Sequence, residues 1–170
     1  MLDTKVKNLL VEQINKEFYS AYLYLDIADY YSDQGLMGFE NYFTVQAQEE
    51  RDHAMLFRQY LLNNSAKITL TAVDAPAASY ESIRDPLPAV LKHEQYITSS
   101  INEIYKTAFE CGDYRTLEFL NWFIKEQGEE EKNAEDNLNN YDLFAGDPKG
   151  LYLLDQELKS RVYQAPSLVL

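Results

Sequence analysis

The stretch Ala47-Gln48-Glu49-Glu50-Arg51-Asp52-His53 decides how this chain is read. Glu50 and His53 stand three positions apart, so on a helix both project from one face. Ala47, Ala54 and Phe57 flank them, which makes that face a buried one. A carboxylate buried without a partner is very costly, so the pair implies either a metal or a basic partner. Carboxylate oxygen together with imidazole suits iron, manganese or zinc rather than calcium.

Outward from Glu50 the pattern repeats. Glu17 precedes Glu50 by 33 positions, Glu94 precedes Gln127 by the same 33, and Gln127-x-x-Glu130 falls in the frame of Glu50-x-x-His53. Glu17 lies among Ile14, Phe18 and Ala21, and Glu94 lies between Val90 and Ile97, again in apolar stripes. A single glutamate is usually solvated, but three in apolar stripes are hard to explain that way. A four-helix bundle can hold two metals with one Glu from each of two helices and a Glu-x-x-His step from each of the others. Here the second such step is altered to Gln127-x-x-Glu130.

Helical periodicity runs through most of the chain. Val6, Leu9, Leu10, Ile14, Phe18, Ala21, Leu25 and Ala28 recur at spacings of three and four from Thr4 to about Ser32. Gly35 ends that helix. A second helix is expected from about Met37 to Asn63. Residues 65–81 lack a helical period and are too many for a tight turn, so they suit a crossover along the bundle, with a short extended piece around Lys67 to Leu70. Pro86 opens the third helix, which carries Val90, Ile97, Ile101, Ile104 and Phe109 to Cys111-Gly112. Asp113 caps a fourth, with Leu117, Leu120, Phe123 and Ile124, running to about Tyr141. A short fifth helix is expected from about Lys149 to Arg161, after the break at Gly146-Asp147-Pro148. One domain over 1–170 follows.

Lys and Arg number 15 against 28 Asp and Glu, a net charge of −13. Nucleic acid needs a basic face and is an unsuitable partner, while cations are favoured. The single cysteine, Cys111, permits no intrachain disulfide and is read as structural. Met1-Leu2-Asp3-Thr4-Lys5 lacks the apolar run of a signal peptide, and no stretch approaches the roughly 20 apolar residues that span a bilayer. A soluble, cytoplasmic protein without a membrane partner is expected.

The densest acidic run is Glu126-Gln127-Gly128-Glu129-Glu130-Glu131, inside a helix after Trp122. Like charges at i, i+3 and i, i+4 repel unless cations bridge them, and Glu49 could reach the same extra cation. Tyr24 lies two turns from Glu17 and faces the same way; it either packs in the core or hydrogen-bonds a ligand carboxylate. Trp122 is read as core and His93 as surface.

These residues in this order resemble a bacterial non-haem ferritin. The likeness covers almost the whole length: Asn15-x-Glu17-x-Tyr19-Ser20 and Tyr24, the Ala47 to His53 stretch, Lys92-His93-Glu94-Gln95, Trp122 with Glu126-Gln127-x-Glu129-Glu130-Glu131, and Gly150-Leu151-Tyr152. The resemblance implies an all-α, ferritin-like four-helix bundle, with a long crossover between helices two and three and a short fifth C-terminal helix. It implies a 24-subunit homo-oligomeric cage that stores iron as a ferric mineral. A ferroxidase centre within each subunit would oxidise Fe(II) with O2 or H2O2. One iron would be held by Glu17, Glu50 and His53, and the second by Glu50, Glu94 and Glu130. Gln127 would lie beside the pair, with Tyr24 next to it, and a third iron site is expected near Glu49, Glu126, Glu129 and Glu130. The haem-binding sister family carries Glu-x-x-His on helix four and a methionine where this chain has Asp52, so no haem is expected.

Two other readings compete. A di-iron oxygenase acting on an organic substrate would need more chain for its pocket. A metal-free helical scaffold would be stabilised by replacing Glu17 and Glu50 with apolar residues.

Overall fold

In the computed structural model, which describes residues 2–76 and 79–170, five helices follow one another: α1 (Thr4–Asp33), α2 (Met37–Asn63), α3 (Pro86–Glu110), α4 (Tyr114–Phe144) and α5 (Pro148–Leu158). The first four have 30, 27, 25 and 31 residues, long enough for their apolar faces to share one core. Among the described residues there is no strand.

Local chemistry sets the helix ends. Asp3, Asp113 and Asp147 accept backbone N–H groups at the starts of α1, α4 and α5. Gly35 and Gly112 take φ of +75° and +68°, and the following N–H groups reach back to the Tyr31 and Ala108 carbonyls. The N-cap of α2, Leu36, has no side chain able to cap. Asp155 of α5 does that work from across the fold: its Oδ1 accepts from the N–H groups of Gly38 (2.7 Å) and Phe39 (3.1 Å). The approach is so close that a Cβ at residue 38 would fall 1.6 Å from the Asp155 carbonyl oxygen, so only glycine fits.

Short turns join α1 to α2 and α3 to α4, and the two helical pairs pack together through α1 and α3. The crossover lies along α1. Asn15 donates to the Ala72 carbonyl at 2.8 Å, and the Tyr31 hydroxyl donates to the Ile83 carbonyl at 2.9 Å. The expected extended piece at Lys67–Leu70 is irregular, and residues 77 and 78 of the expected crossover lie outside the described residues, as does Met1.

Several expectations change. The fifth helix ends at Leu158, not Arg161, because Asn41 of α2 holds the Arg161 carbonyl (3.0 Å) and turns the chain off the helix. The fourth extends to Phe144. Leu25, Phe109 and Ile124 are exposed, on outward faces of their helices. Cys111 is exposed too, and its backbone N–H closes the end of α3.

The core falls into two apolar clusters. One gathers Leu10, Ile14, Phe57, Ile101, Leu120 and Phe123; the other gathers Tyr24, Ile27, Tyr31, Phe39, Phe43 and Leu87. Between them lies one buried polar layer, to which all four long helices contribute.

Candidate metal centre

Helices α1 to α4 deliver Glu17, Glu50 with His53, Glu94, and Gln127 with Glu130 to that layer, and all six side chains are buried. The structure brings them into two groups. Ligand atoms of Glu17, Glu50 and His53 lie within 4.8 Å of one another, as do those of Glu50, Glu94 and Glu130, so Glu50 belongs to both. Three oxygens and a nitrogen around a shared carboxylate form a donor set for two hard-to-borderline divalent cations.

Neutral amides surround the carboxylates. Gln13 donates to Glu17 Oε1 at 2.8 Å, and its own Oε1 accepts from Ser100, which in turn receives Lys16. Gln46 donates to Glu50 Oε1 (3.1 Å) and Glu130 Oε2 (2.8 Å). Gln127 Nε2 donates to Glu94 Oε2 (3.2 Å), so it orients a ligand carboxylate, and the Tyr24 hydroxyl donates to Glu94 Oε1. The other oxygen of Glu17, Oε2, is buried with no partner. An orphaned carboxylate oxygen facing such a set is what a cation would satisfy.

Electrostatics say the same. Burial first, and then the Glu50 charge, push Glu17 and Glu130 each up to about 8. Glu94 is raised well above the carboxylate range for the same two reasons. For Glu50, burial would raise it, but the His53 ring at 3.4 Å and the Gln46 amide hold it below its ordinary value. His53 would be lowered by burial, yet Glu50 raises it to about 10. The layer carries more carboxylates than its one imidazole can balance, and protons fill the gap.

Outside this layer Glu49, Glu126 and Glu129 line a cavity of about 490 Å³, together with His53, Trp122, Glu130 and the tail residues Arg161, Val162 and 164–167. Glu49 and Glu126 are half-buried and Glu129 is exposed. His53 Nε2 is 4.0 Å from Glu126 Oε1. The structure does not gather these three glutamates into a third ligand group; among the described residues only the two inner groups meet that geometry. Glu49 instead receives Arg161 Nη2.

Two further readings are corrected. His93 is half-buried rather than on the surface, its Nε2 2.8 Å from the Ser20 hydroxyl and its ring among Tyr19, Tyr24 and Tyr96. Burial lowers its pKa. Trp122 is only partly buried: it wedges against His53 and donates to the Ser167 hydroxyl at 2.9 Å. Gln13, Gln46 and Arg161 escaped the sequence reading. A signal existed for the amides, since each stands four residues before a ligand glutamate and the two are themselves 33 apart. Nothing in the sequence announced Arg161.

The ferritin family, described as a ferritin-like domain, matches residues 7–144. The chain is 37% identical over 158 residues to a probable bacterial non-heme ferritin-like protein of Haemophilus influenzae, covering 93% of this chain and 96% of that one. It is 36% identical over 160 residues to the bacterial non-heme ferritin of Campylobacter jejuni, covering 94% and 96%. Among solved structures, an engineered closed form of the Archaeoglobus fulgidus ferritin superposes with a TM-score of 0.93 at 36% identity, covering 96% of this chain and all of that one. The open-pore ferritin of the same archaeon gives 0.92 at 37%, covering 95% and 98%.

Proposed function

The chain belongs to the ferritin family, and from that premise we propose that it stores iron, oxidising Fe(II) at the buried layer and holding the product as a ferric mineral. One observation carries the reading: two overlapping ligand groups that share Glu50, with an unsatisfied Glu17 oxygen beside them.

Iron is substrate and cargo here. Glu17, Glu50 and His53 would take one ferrous ion, and Glu50, Glu94 and Glu130 the other. Two ferrous ions in one pocket, roughly 3.5 to 4 Å apart as two-metal sites require, can give two electrons to one O2 or H2O2 without releasing a one-electron product. Bound ions would displace the protons that Glu17, Glu94 and Glu130 hold, and His53 would give up the proton on its ligating nitrogen. Gln13, Gln46 and Gln127 keep the carboxylates turned inward, and Tyr24 steadies Glu94 from the other side. Storage then needs the ferric product to leave this layer and hydrolyse elsewhere.

Storage requires a container. We read residues 1–170 as one domain and the working form as a closed homo-oligomer, a cage of 24 chains. The net charge of −13 favours ferrous ions over anions at its openings. A cytoplasmic setting fits a chain in which, among the described residues, no helix is long and apolar enough to cross a membrane.

An aerobic Fe(II) titration of metal-free protein tests this. A fast phase saturating at about two ions per chain, as a two-metal site requires, should give way to continued soluble uptake of many more. A fast phase with no further uptake would leave a di-iron oxidase and remove storage.

A further inference from the structure

The tail after α5 brings a cation of its own to the centre. Arg161 lies beyond the helix, held by its carbonyl to Asn41 Nδ2 (3.0 Å), and its guanidinium stacks over the Tyr42 ring at 4.2 Å. Nη2 donates to Glu49 Oε2, and Nη1 donates to Gln46 Oε1 at 2.7 Å and to the Tyr42 carbonyl at 3.4 Å. The side chains of Arg161 and Glu49 are only 21% and 17% exposed, so this pair is far better shielded than the Arg84–Asp142 pair, with both partners at 45%. Two consequences follow from these contacts. The Glu49 carboxylate is committed to a fixed positive charge at the rim of the outer acidic cavity. The Gln46 amide can turn only one way, oxygen to Arg161 and nitrogen to Glu50 and Glu130.

We propose that Arg161 stands in for a third cation: it satisfies Glu49, leaves Glu126 and Glu129 as a passage rather than a tight metal site, and positions Gln46 against the inner ligands. The arrangement makes the tail a determinant of how many ions each chain holds. A guanidinium suits this role because it is always charged and offers its donors in a rigid fork, two of which here engage different acceptors. Val162 and residues 164–167 of the tail complete the cavity wall, and two further contacts hold them there: the Tyr163 hydroxyl donates to Asp52 of α2, and Trp122 donates to Ser167.

The inference rests on the proposed di-metal reading, and its test separates the two. The probe is Zn2+, redox-silent, added to the metal-free assembled protein near neutral pH and counted by equilibrium dialysis with elemental analysis. Wild type should hold two tight ions per chain, one for each inner group. Arg161→Gln should gain a third, tighter by at least about tenfold than any third ion in wild type, the scale on which neighbours of metal ligands act. Arg161→Lys should return the count to two, and Arg161→Gln combined with Glu49→Gln should lose the gained ion. Arg161 lies beyond the last helix, Glu49→Gln keeps the shape of a half-buried side chain on α2, and Arg161→Lys retains the charge should the tail prove sensitive. A third tight ion already present in wild type, or none gained in Arg161→Gln, would overturn the role of Arg161 and leave the inner centre standing. No tight ion in wild type would overturn the inner centre, and this inference with it.

Discussion

The inner and outer carboxylates of this chain face the two nitrogens of one imidazole, Glu50 at 3.4 Å from His53 Nδ1 and Glu126 at 4.0 Å from His53 Nε2, and are treated oppositely. Inside, Glu17, Glu94 and Glu130 are buried, served by amides and a phenol, and offered one imidazole among them. Outside, Glu49 is half-buried and has an arginine. The fold supplies a guanidinium to Glu49, which can also reach water, and none to the inner carboxylates, where water is excluded. Burying unbalanced carboxylates costs several kcal/mol each unless something neutralises them. Such a layer lowers the stability of the empty protein, and the cation binding proposed above would relieve that cost.

Removing one glutamate from each side gives the largest contrast. Glu50→Ala should abolish both inner ions, because that carboxylate belongs to both groups, with metal affinity falling by about 100-fold or more, beyond what loss of a mere neighbour costs. Glu49→Ala should leave the inner pair and keep the fast phase of ferrous oxidation within about tenfold of wild type. Stopped-flow oxidation traces of the two variants decide it; equal loss in both would erase the distinction.

Loading the inner layer should stabilise the protein strongly. Zn2+ at about a thousandfold excess over its dissociation constant should add about 4 kcal/mol, seen as a raised thermal midpoint. Glu50→Ala should show almost none of this gain. A similar rise in that variant would mean that the ions bind elsewhere.

The pH dependence has a definite sign. Glu17 and Glu130 keep their protons in the folded, empty protein up to about 8, against an ordinary 4.5. Between those values the folded state binds more protons than the unfolded one, so stability falls as pH rises. His53 acts in the same sense: its contribution is full below 6.5 and is lost as pH climbs through about 10. Conversely, ions compete with protons for the glutamates and for His53, so affinity should increase with pH through about 8 and on towards about 10. Calorimetry in buffers of different ionisation enthalpy should show protons released on binding. Uptake without proton release would contradict the charge balance described for the layer.

The smallest effect should come from Arg161→Gln on the empty protein. A partly exposed ion pair contributes about 1 kcal/mol or less, so the thermal midpoint should barely move even as ion binding changes. A large drop would make Arg161 a structural anchor first.

Much of this was legible in the sequence, for physical reasons that differ by element. Gly35, Gly112 and Pro86 punctuate the helices because only particular backbone angles suit them, and such signals are local. The inner side chains could be grouped because a charged residue in an apolar stripe conflicts with its own helix, and the conflict recurs at a fixed interval. Arg161 and Asp155 could not be read this way. Each acts on α2 from more than a hundred residues away, and neither breaks a local pattern. His93 looked like a surface residue because its neighbour Glu94 claims the inward face; Ser20 and three tyrosines of other turns enclose it instead. Leu25, Phe109 and Ile124 kept the helical period without being buried, since periodicity marks a face but not its neighbour.

The most direct test of the central claim is anomalous diffraction from crystals loaded with Zn2+. Two peaks are expected in the buried layer, one among Glu17, Glu50 and His53 and one among Glu50, Glu94 and Glu130, with Glu50 touching both and Arg161 still on Glu49. Peaks confined to the outer cavity, with the inner layer empty, would contradict it.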